Sequence, residues 1–426
     1  MAAPEEEPDA KRLDAPPILG LPDDLLAKIF LRLPTLEDVG RSATVCPAFR
    51  RVIADRSFRR GLRTVHPAPF LGFVRGNFYP ATAPHPSAPC ARALARAADF
   101  SFKFIPSSGP SWFVRDLRDG RALVENVGDS GEFLEKSLES REFAVADPVY
   151  RRYVLLPPIP EDVGAPVLHQ RSLHLEAILV PAHEEEEETS FKVICVAVCR
   201  AHLVAFVFCS AKGGWSAFPS QDWSASTVNV MANTGLFCLR WCYCAGDCFY
   251  WKVSWTDKLL VLDTRSIEFS FADLPIVQYD LLPFGIDDIG LTVNAVKCSS
   301  AIAEVGDGRT EFFTLQRDIS CEFGSLYSMK RSDAGSASTW QSKKKVQVQF
   351  PLGHDFVISG AAKRYLLVKG TREWMHRYNW LPGLRALYLL LDLKTMRLEE
   401  VCRLDGNFLH LNLYTGFPPS LSLPSI

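Results

Sequence analysis

Beyond residue 110 the chain is a succession of short apolar runs. They include "RALVENV", "EFAVADP", "RRYVLLP", "FKVICVAV", "LVAFVFC", "CFYWKVSW", "KLLVLDT", "SIEFSFADLP", "EFFTLQ", "YLLVKGT", "ALYLLLDL" and "LHLNLY". Each is rich in Val, Ile, Leu and aromatic side chains and is bounded by Gly, Pro, Asp or Ser, the pattern of a strand between turns. No long helical periodicity separates the runs. Parallel strands need a crossover, usually a helix. The sequence therefore predicts antiparallel strands joined by hairpins.

Three of these hairpins share one grammar. In "FAVADPVYRRYVLLPPIP", "LLVLDTRSIEFSFADLP" and "LYLLLDLKTMRLEEVCRL" an apolar strand ends in Asp147, Asp263 or Asp392. Arg151, Arg265 or Lys394 follows closely, and a second strand leaves. An aspartate in that place can accept hydrogen bonds from the amides of the turn. "FVFCSAKGGWSAFP" fits the same hairpin with Gly213 and Gly214 at the turn. Repeated hairpins of this kind predict radial repetition into a β-propeller of six or so blades, which leaves only short protected edges. WD and kelch repeats run at ~40–50 residues, and neither signature is clean here. A large two-sheet β-sandwich is the alternative.

Composition narrows the function. The chain has 426 residues, 47% of them hydrophobic, which is enough for more than one core. A net charge of −2 lacks the basic excess of a general nucleic-acid binder. The start "MAAPEEEPDAKRLD" is acidic where a secretory signal is basic and then apolar. We therefore expect the twelve cysteines to be reduced thiols of a cytoplasmic or nuclear protein. "FKVICVAVCRAHLVAFVFC" (191–209) approaches the length of a membrane span, but Arg200 and His202 sit at its middle. An arginine there costs roughly 2.5–3.5 kcal/mol on insertion scales. The stretch reads instead as two buried strands with a turn at Arg200–His202, and no membrane partner is expected.

The chain divides into a disordered leader (1–20), a helical module (21–62), a linker with the first strands (63–110) and the strand-rich region (111–426). "YPATAPHPSAPCARA" in the third segment reads as loop. The runs "HEEEEETS" and "QSKKKVQVQF" read as solvated insertions, the second leading into a strand.

In the helical module, "LPDDLLAKIFLRLP" places Pro22 at a helix start and Asp23 and Asp24 in its first turn. Leu25, Leu26, Ile29, Phe30 and Leu33 recur at helical spacing, and Pro34 ends the run. Thr35 and Asp38 have the spacing of a helix cap, and Gly40 loosens the second helix. "CPAFRRVIADRSF" makes a third helix, with Phe49, Val52 and Ile53 on one side. So small a unit buries too little apolar surface to stand comfortably alone.

These residues resemble the F-box. The matching positions are Leu21-Pro22, then Leu25, Ile29, Phe30, Leu33 and Pro34, then Val45-Cys46 and Phe49-Arg50. Pro47 and Phe49 stand where the family usually has lysine and tryptophan. The remaining length resembles the F-box-associated, propeller-like regions common in plant F-box proteins, a likeness carried by "RYVLLPP" (152–158) and "LYTGFPPSL". The resemblance implies a helical module docking a Skp-type adaptor and, through it, a cullin. It implies contacts from Leu21, Pro22, Leu25, Ile29, Leu33, Val45 and Phe49. Periodicity alone reports burial, so some or all of these can be the module's own core.

Catalytic and metal chemistry find little support. Cys238, Cys242, Cys244 and Cys248 could hold zinc, but the paired two-residue spacing of zinc sites is missing. Their numbering places the first three on one face of a strand, and core packing is the expectation. The nine histidines form no metal-spaced pair, and His169 and His174 read as surface residues. No phosphate loop or serine elbow is present, "GDGRT" (306–310) reads as a hairpin turn, and Asp287 and Asp288 have no partner acid. No cofactor is expected. Most of the nine tryptophans read as core, among them Trp241, Trp251 and Trp255. "TREWMHRYNW" mixes aromatic and basic residues in a loop between strands, a combination enriched at binding hot spots. Arg372, Trp374, Arg377 and Trp380 are its candidates for contact with a target protein. The leading expectation is therefore a non-catalytic substrate-receptor subunit of a ubiquitin ligase. A scaffold protein whose F-box no longer engages an adaptor is the alternative.

Overall fold

A computed structural model describes residues 17–66, 68–106, 111–127, 141–168, 174–181, 190–199, 203–219, 239–253, 258–274, 297–305, 309–317, 323–332, 339–372, 385–405 and 411–416. The chain forms two units, Met1–Pro69 and Phe70–Ile426.

The first unit is helical. Pro17–Gly20, read from sequence as the end of the leader, form a 3-10 turn held by a bond from Leu21 N to Ile18 O. Helix α1 (Asp23–Phe30) follows Pro22, whose carbonyl accepts from the amides of Leu25 and Leu26. Thr35 caps α2 (Leu36–Val45), its hydroxyl accepting from Asp38 N at 3.1 Å. Helix α3 (Pro47–Ala54) starts behind Cys46 with proline in its first turn. The sequence reads one helix through "CPAFRRVIADRSF", but the structure divides it. Asp55 leaves helical geometry and caps a fourth helix, α4 (Arg56–Val65), accepting from Ser57 N at 2.8 Å and Phe58 N at 3.2 Å. Leu26, Phe30, Val39, Phe49, Val52 and Phe58 form the core. The Phe30 ring meets Phe49 edge-on at 5.0 Å and Phe58 at 6.4 Å.

The second unit is a six-bladed β-propeller. Blade 1 holds β3 (Ser111–Arg118), β4 (Arg121–Val127), β5 (Phe143–Asp147) and β6 (Arg152–Leu155). Blade 2 holds β7 (His174–Pro181), β8 (Phe191–Val198), β9 (Leu203–Cys209) and β10 (Gly214–Pro219). Blade 3 holds β11 (Leu239–Ala245), β12 (Cys248–Val253), β13 (Lys258–Asp263) and β14 (Glu268–Asp273). Blade 4 holds β15 (Lys297–Val305), β16 (Arg309–Arg317), β17 (Phe323–Ser332) and β18 (Thr339–Gln349). Blade 5 holds β19 (His354–Ala362), β20 (Tyr365–Arg372), β21 (Arg385–Asp392) and β22 (Arg397–Asp405). The first strand of each lies innermost, next to the first strand of a neighbouring blade.

Blade 6 takes strands from both ends of the propeller. Its inner strand is β23 (Asn412–Thr415), lying between β19 and β3. Against it pairs β1 (Phe70–Arg75), and then β2 (Asn77–Pro80). The segment 63–110, read from sequence as a linker with the first strands, thus contributes two strands of the closing blade. It also contributes α5 (Ala88–Ala97), where the sequence reads loop. Pro89 lies in the first turn of that helix, where proline is tolerated, and an alanine-rich stretch continues it.

Both faces of each blade pack on neighbours, so the strands read as near-continuous apolar runs rather than as alternation. β7 shows the division: Leu175, Ala177 and Leu179 join the core toward blade 1, and Ile178 and Val180 the core toward blade 3. The run 191–209 is two antiparallel strands, β8 and β9. Among the described residues no helix is long and apolar enough to cross a membrane.

The repeated aspartates sit where the sequence grammar puts them. Asp147, Asp263 and Asp392 each end the third strand of a blade. One carboxylate oxygen of each accepts two turn amides: those of Val149 and Tyr150, Arg265 and Ser266, or Lys394 and Thr395. Four residues beyond each, Arg151, Ile267 and Met396 adopt φ of 54°, 55° and 56°. Blade 2 builds the same turn with Gly213 at φ 69°.

Two predictions follow from these placements. Gly72 lies at a bulge in β1 with φ 151°, and a Cβ there would meet Tyr79 O at 2.3 Å. Gly72→Ala should cost ~1–3 kcal/mol or more, read as a lowered urea midpoint of the propeller transition. Asp147 is fully buried, and its Oδ2 accepts no hydrogen bond from the described residues. Burial raises its pKa against the pull of the two amide bonds. A carboxyl raised in the folded state contributes stability that is present at low pH and is lost as pH rises through the folded pKa. Asp147→Asn keeps an oxygen for Val149 and Tyr150 without the charge. It should raise the urea midpoint at neutral pH, and the gain should vanish toward pH ~4, near the pKa of an unfolded aspartate.

Candidate docking site

Helix α1 has two apolar faces. Leu26 and Phe30, one turn apart, are 2% and 3% exposed and fill the core of the helical unit. Leu25 and Ile29, also one turn apart, are 41% and 40% exposed and lie on the adjacent face, about 100° round the helix. Val45, the last residue of α2, is 69% exposed. Pro22 is exposed, and Leu21 and Leu33 are half-buried against the core. Phe49 is buried against Phe30 and belongs to the core side of the division. Of the seven positions named from the sequence, the structure thus leaves Pro22, Leu25, Ile29 and Val45 facing outward. Arg51 of α3 reaches both carboxylate oxygens of Asp23, at 3.0 and 3.1 Å, and ties α3 to the first turn of α1.

In the propeller, antiparallel pairing sends the connections to two ends. The first-to-second and third-to-fourth turns of each blade emerge at one end, called here the hairpin end. The second-to-third and blade-to-blade connections emerge at the other, the crossover end. The hairpin end is laced together. Lys363 Nζ lies 2.7 Å from Asp119 Oδ1, joining blades 5 and 1. Arg118 Nε donates to Asp116 at 3.1 Å while its guanidinium lies 5.1 Å over the Phe249 ring of blade 3. At the crossover end the described residues 156–168 follow β6 and include helix α6 (Glu161–Leu168).

Arg372 ends β20 at the crossover end and is exposed. Trp374, Arg377 and Trp380 lie outside the described residues, as do Cys238, His169, Asp287, Asp288 and Trp255. Cys242 and Cys244 share one face of β11 and pack toward blade 2, whereas Cys248 packs toward blade 4. Burial pushes the Cys244 thiol up to about 11 and the Cys242 thiol well above its usual range. Among the described residues no group of three or more His, Cys, Asp or Glu is placed to hold a metal ion. Trp251 is fully buried between blades 2 and 3.

One polar network escaped the sequence reading. Glu125 on β4 is 2% exposed; it accepts from Arg141 Nη1 at 2.7 Å and from Arg115 Nε. Beside it Asn126 donates to Glu142 at 2.6 Å. Together these bonds hold the two stems of the segment between β4 and β5. The available signal was a glutamate and an asparagine inside the apolar run "RALVENV". A buried charge of that kind must be paired.

Residues 18–63 match the F-box-like family model. No curated protein matches the chain. Three solved structures show similarity at low scores. Apo AztD from Citrobacter koseri is 11% identical over 71% of this chain and 62% of its own, with TM-score 0.26. The intramolecular trans-sialidase from Ruminococcus gnavus is 10% identical over 64% and 50%, with TM-score 0.32. The GH43 protein BlXynB from Bacillus licheniformis is 8% identical over 73% and 59%, with TM-score 0.27. The chain spans less than two thirds of the length of each.

The two faces of α1 separate by mutation. Phe49→Ala opens a cavity beside Phe30 and should cost roughly 3–5 kcal/mol, enough to unfold so small a unit. Leu25→Ala, at an exposed position, should stay within about 0.5 kcal/mol. Amide hydrogen exchange over residues 23–65 of each full-length variant reads the difference.

Proposed function

We propose that the protein is a substrate-receptor subunit of a Skp-cullin-F-box ubiquitin ligase, of the type common in plants, acting in the cytoplasm or nucleus. The helical unit docks a Skp-type adaptor and, through it, a cullin. The propeller receives a target protein. The chain contributes recognition and proximity, raising the target's effective concentration at the transfer machinery.

The observation that carries this reading is the pair Leu25 and Ile29. An F-box-like module already has Leu26 and Phe30 for its own core, yet it displays a second apolar pair on the adjacent face of the same helix, about 100° round. Helix anchors one turn apart suit insertion into an apolar groove of a partner. Their exposure supports docking over the alternative of a purely internal helical bundle.

Leu25→Glu combined with Ile29→Glu should abolish co-purification of the adaptor by the full chain, while near-ultraviolet circular dichroism of the propeller stays unchanged. Undiminished co-purification would overturn the docking role.

A further inference from the structure

Helix α5 straps the closing blade to both of its neighbours. In the turn before it, the amide and hydroxyl of Thr82 donate to Val401 O of blade 5, at 2.8 and 2.9 Å. The helix then packs on β1 and β2 of blade 6 and buries Ala88, Ala91 and Leu94. Beyond its last residue, the amide of Asp99 donates to Pro148 O of blade 1 at 2.8 Å. The strap therefore spans the seam at which the two ends of the propeller meet.

His85 sits at the blade 5 end of this strap, and its side chain is 3% exposed. Its backbone closes the turn, donating to Thr82 O and accepting from Ala88 N. Its ring meets Phe70 of β1 edge-on at 5.7 Å. Nδ1 accepts from the amide of Ser87 at 3.1 Å. A ring nitrogen that accepts carries no hydrogen, so the neutral ring holds its one hydrogen on Nε2. Nε2 lies 3.6 Å from Glu399 Oε2 of β22, beyond hydrogen-bond length.

Protonation puts a hydrogen on Nδ1, where it faces the hydrogen of the Ser87 amide and ends that bond. The new charge gains the attraction of Glu399 but sits in a buried pocket beside the Phe70 ring. Burial outweighs the pull of Glu399, so the His85 pKa lies below its usual value. The other titratable groups of the packed elements are engaged elsewhere or face water. Tyr365 of β20 also meets the Phe70 ring, at 6.3 Å, and burial raises its pKa, so it stays neutral. Arg364 and Asp392 pair with each other at 2.8 Å, and Arg403 pairs with Glu400 at 2.8 Å. Tyr79 of β2 packs 5.5 Å from Phe73. Arg397 of β22, Arg75 of β1 and the Cys90, Arg92 and Arg96 side chains of α5 are exposed.

We propose that His85 is an acid-released latch, whose protonation frees the turn 81–87 from blade 5 and loosens helix α5 from the seam. The neutral ring holds the strap. The charged ring leaves its pocket for water, and the Ser87 bond goes with it. A histidine whose pKa is lowered in the folded state contributes stability that is whole above the unfolded value and is lost as pH falls through the folded one. Loosening therefore sets in below pH ~6.5, the value of an unburied histidine. Asp147, the buried carboxyl at the blade 1 end of the strap, has the opposite sign, because its pKa is raised by burial. The inference concerns the propeller alone and stands apart from the substrate-receptor reading.

The test is amide hydrogen exchange on the full chain from pH ~8 to pH ~5, either side of the histidine range, with rates corrected for the intrinsic effect of pH. Residues 81–97 should lose protection as pH falls, while β12 and β13 of blade 3 keep theirs. His85→Asn offers the Ser87 amide a carboxamide oxygen from the same position, as in an Asx turn, and does not titrate. Its protection over 81–97 should not vary with pH. Glu399→Gln leaves the histidine in place and removes the charge that favours its protonated form, so the loss should move to lower pH. Constant protection of 81–97 in the unaltered chain overturns the inference. So does an equal loss in blade 3, a loss in His85→Asn that matches the unaltered chain, or a loss in Glu399→Gln that stays in place or moves to higher pH.

Discussion

The propeller depends on one pairing, that of β1 with β23. Phe73 faces Leu413 and Val74 faces Asn412 across this ladder, so chain near residue 70 is bonded to chain near residue 415. An antiparallel sheet repeated around an axis leaves a gap if its ends do not meet. Here the gap is filled by one inner strand from one end and two strands from the other. The packing follows the same division. Phe70, Phe73 and Val74 of β1 share a core with Leu413 and Tyr414 of β23, and with Tyr365 and Tyr388 of blade 5 and Trp112 and Val114 of blade 1. Thr82 adds an outer tie by donating from both its amide and its hydroxyl to Val401 O. Because these contacts join distant parts of the sequence, they form only after the intervening loop closure has been met. Local hairpins can form before that step, but the ring cannot.

The hairpins carry their own instructions. Blades 1, 3 and 5 share more than the aspartate turn. Each has an irregularity in its inner strand, next to Asp116, Cys242 or Gly360. Each also places an arginine against an aspartate between its two hairpin-end turns. Arg121 acts on Asp147 in blade 1, Arg265 lies 2.6 Å from Asp247 in blade 3, and Arg364 lies 2.8 Å from Asp392 in blade 5. A bulge adds twist and re-aims side chains, so the alternate blades are tied at the hairpin end and bent at the centre. Blades 2 and 4 lack this set among the described residues, and the basic run of 341–350, read from sequence as an insertion, instead lies almost wholly within strand β18, paired with β17.

The sequence was most readable where the physics is local. An aspartate that caps a turn and an apolar run between turn residues identify themselves within a few positions, and hence the antiparallel propeller and its three related hairpins were legible. The membership of β1 and β2 in the last blade was not, because their partner β23 lies at the other end of the unit. The break at Asp55 was also hidden, since the same residues continue a helical pattern on either side of it. At the docking helix, periodicity marked Leu25, Leu26, Ile29 and Phe30 alike as apolar. Only three-dimensional packing shows which pair the core consumes. The Glu125 network was invisible for a related reason. Its partners come from β3 and from the far stem of the β4–β5 segment, and no spacing rule connects them.

The same separation of local and distant constraints shapes what the molecule can vary. Most hairpin-end turns are short, and Lys363 and Arg118 reach from them to Asp119 and the Phe249 ring of other blades, so a change there strains several blades at once. Crossover-end segments begin and end on strands already fixed by their blades. They can change length and composition at small cost, because the closure entropy of a loop grows only slowly with its length.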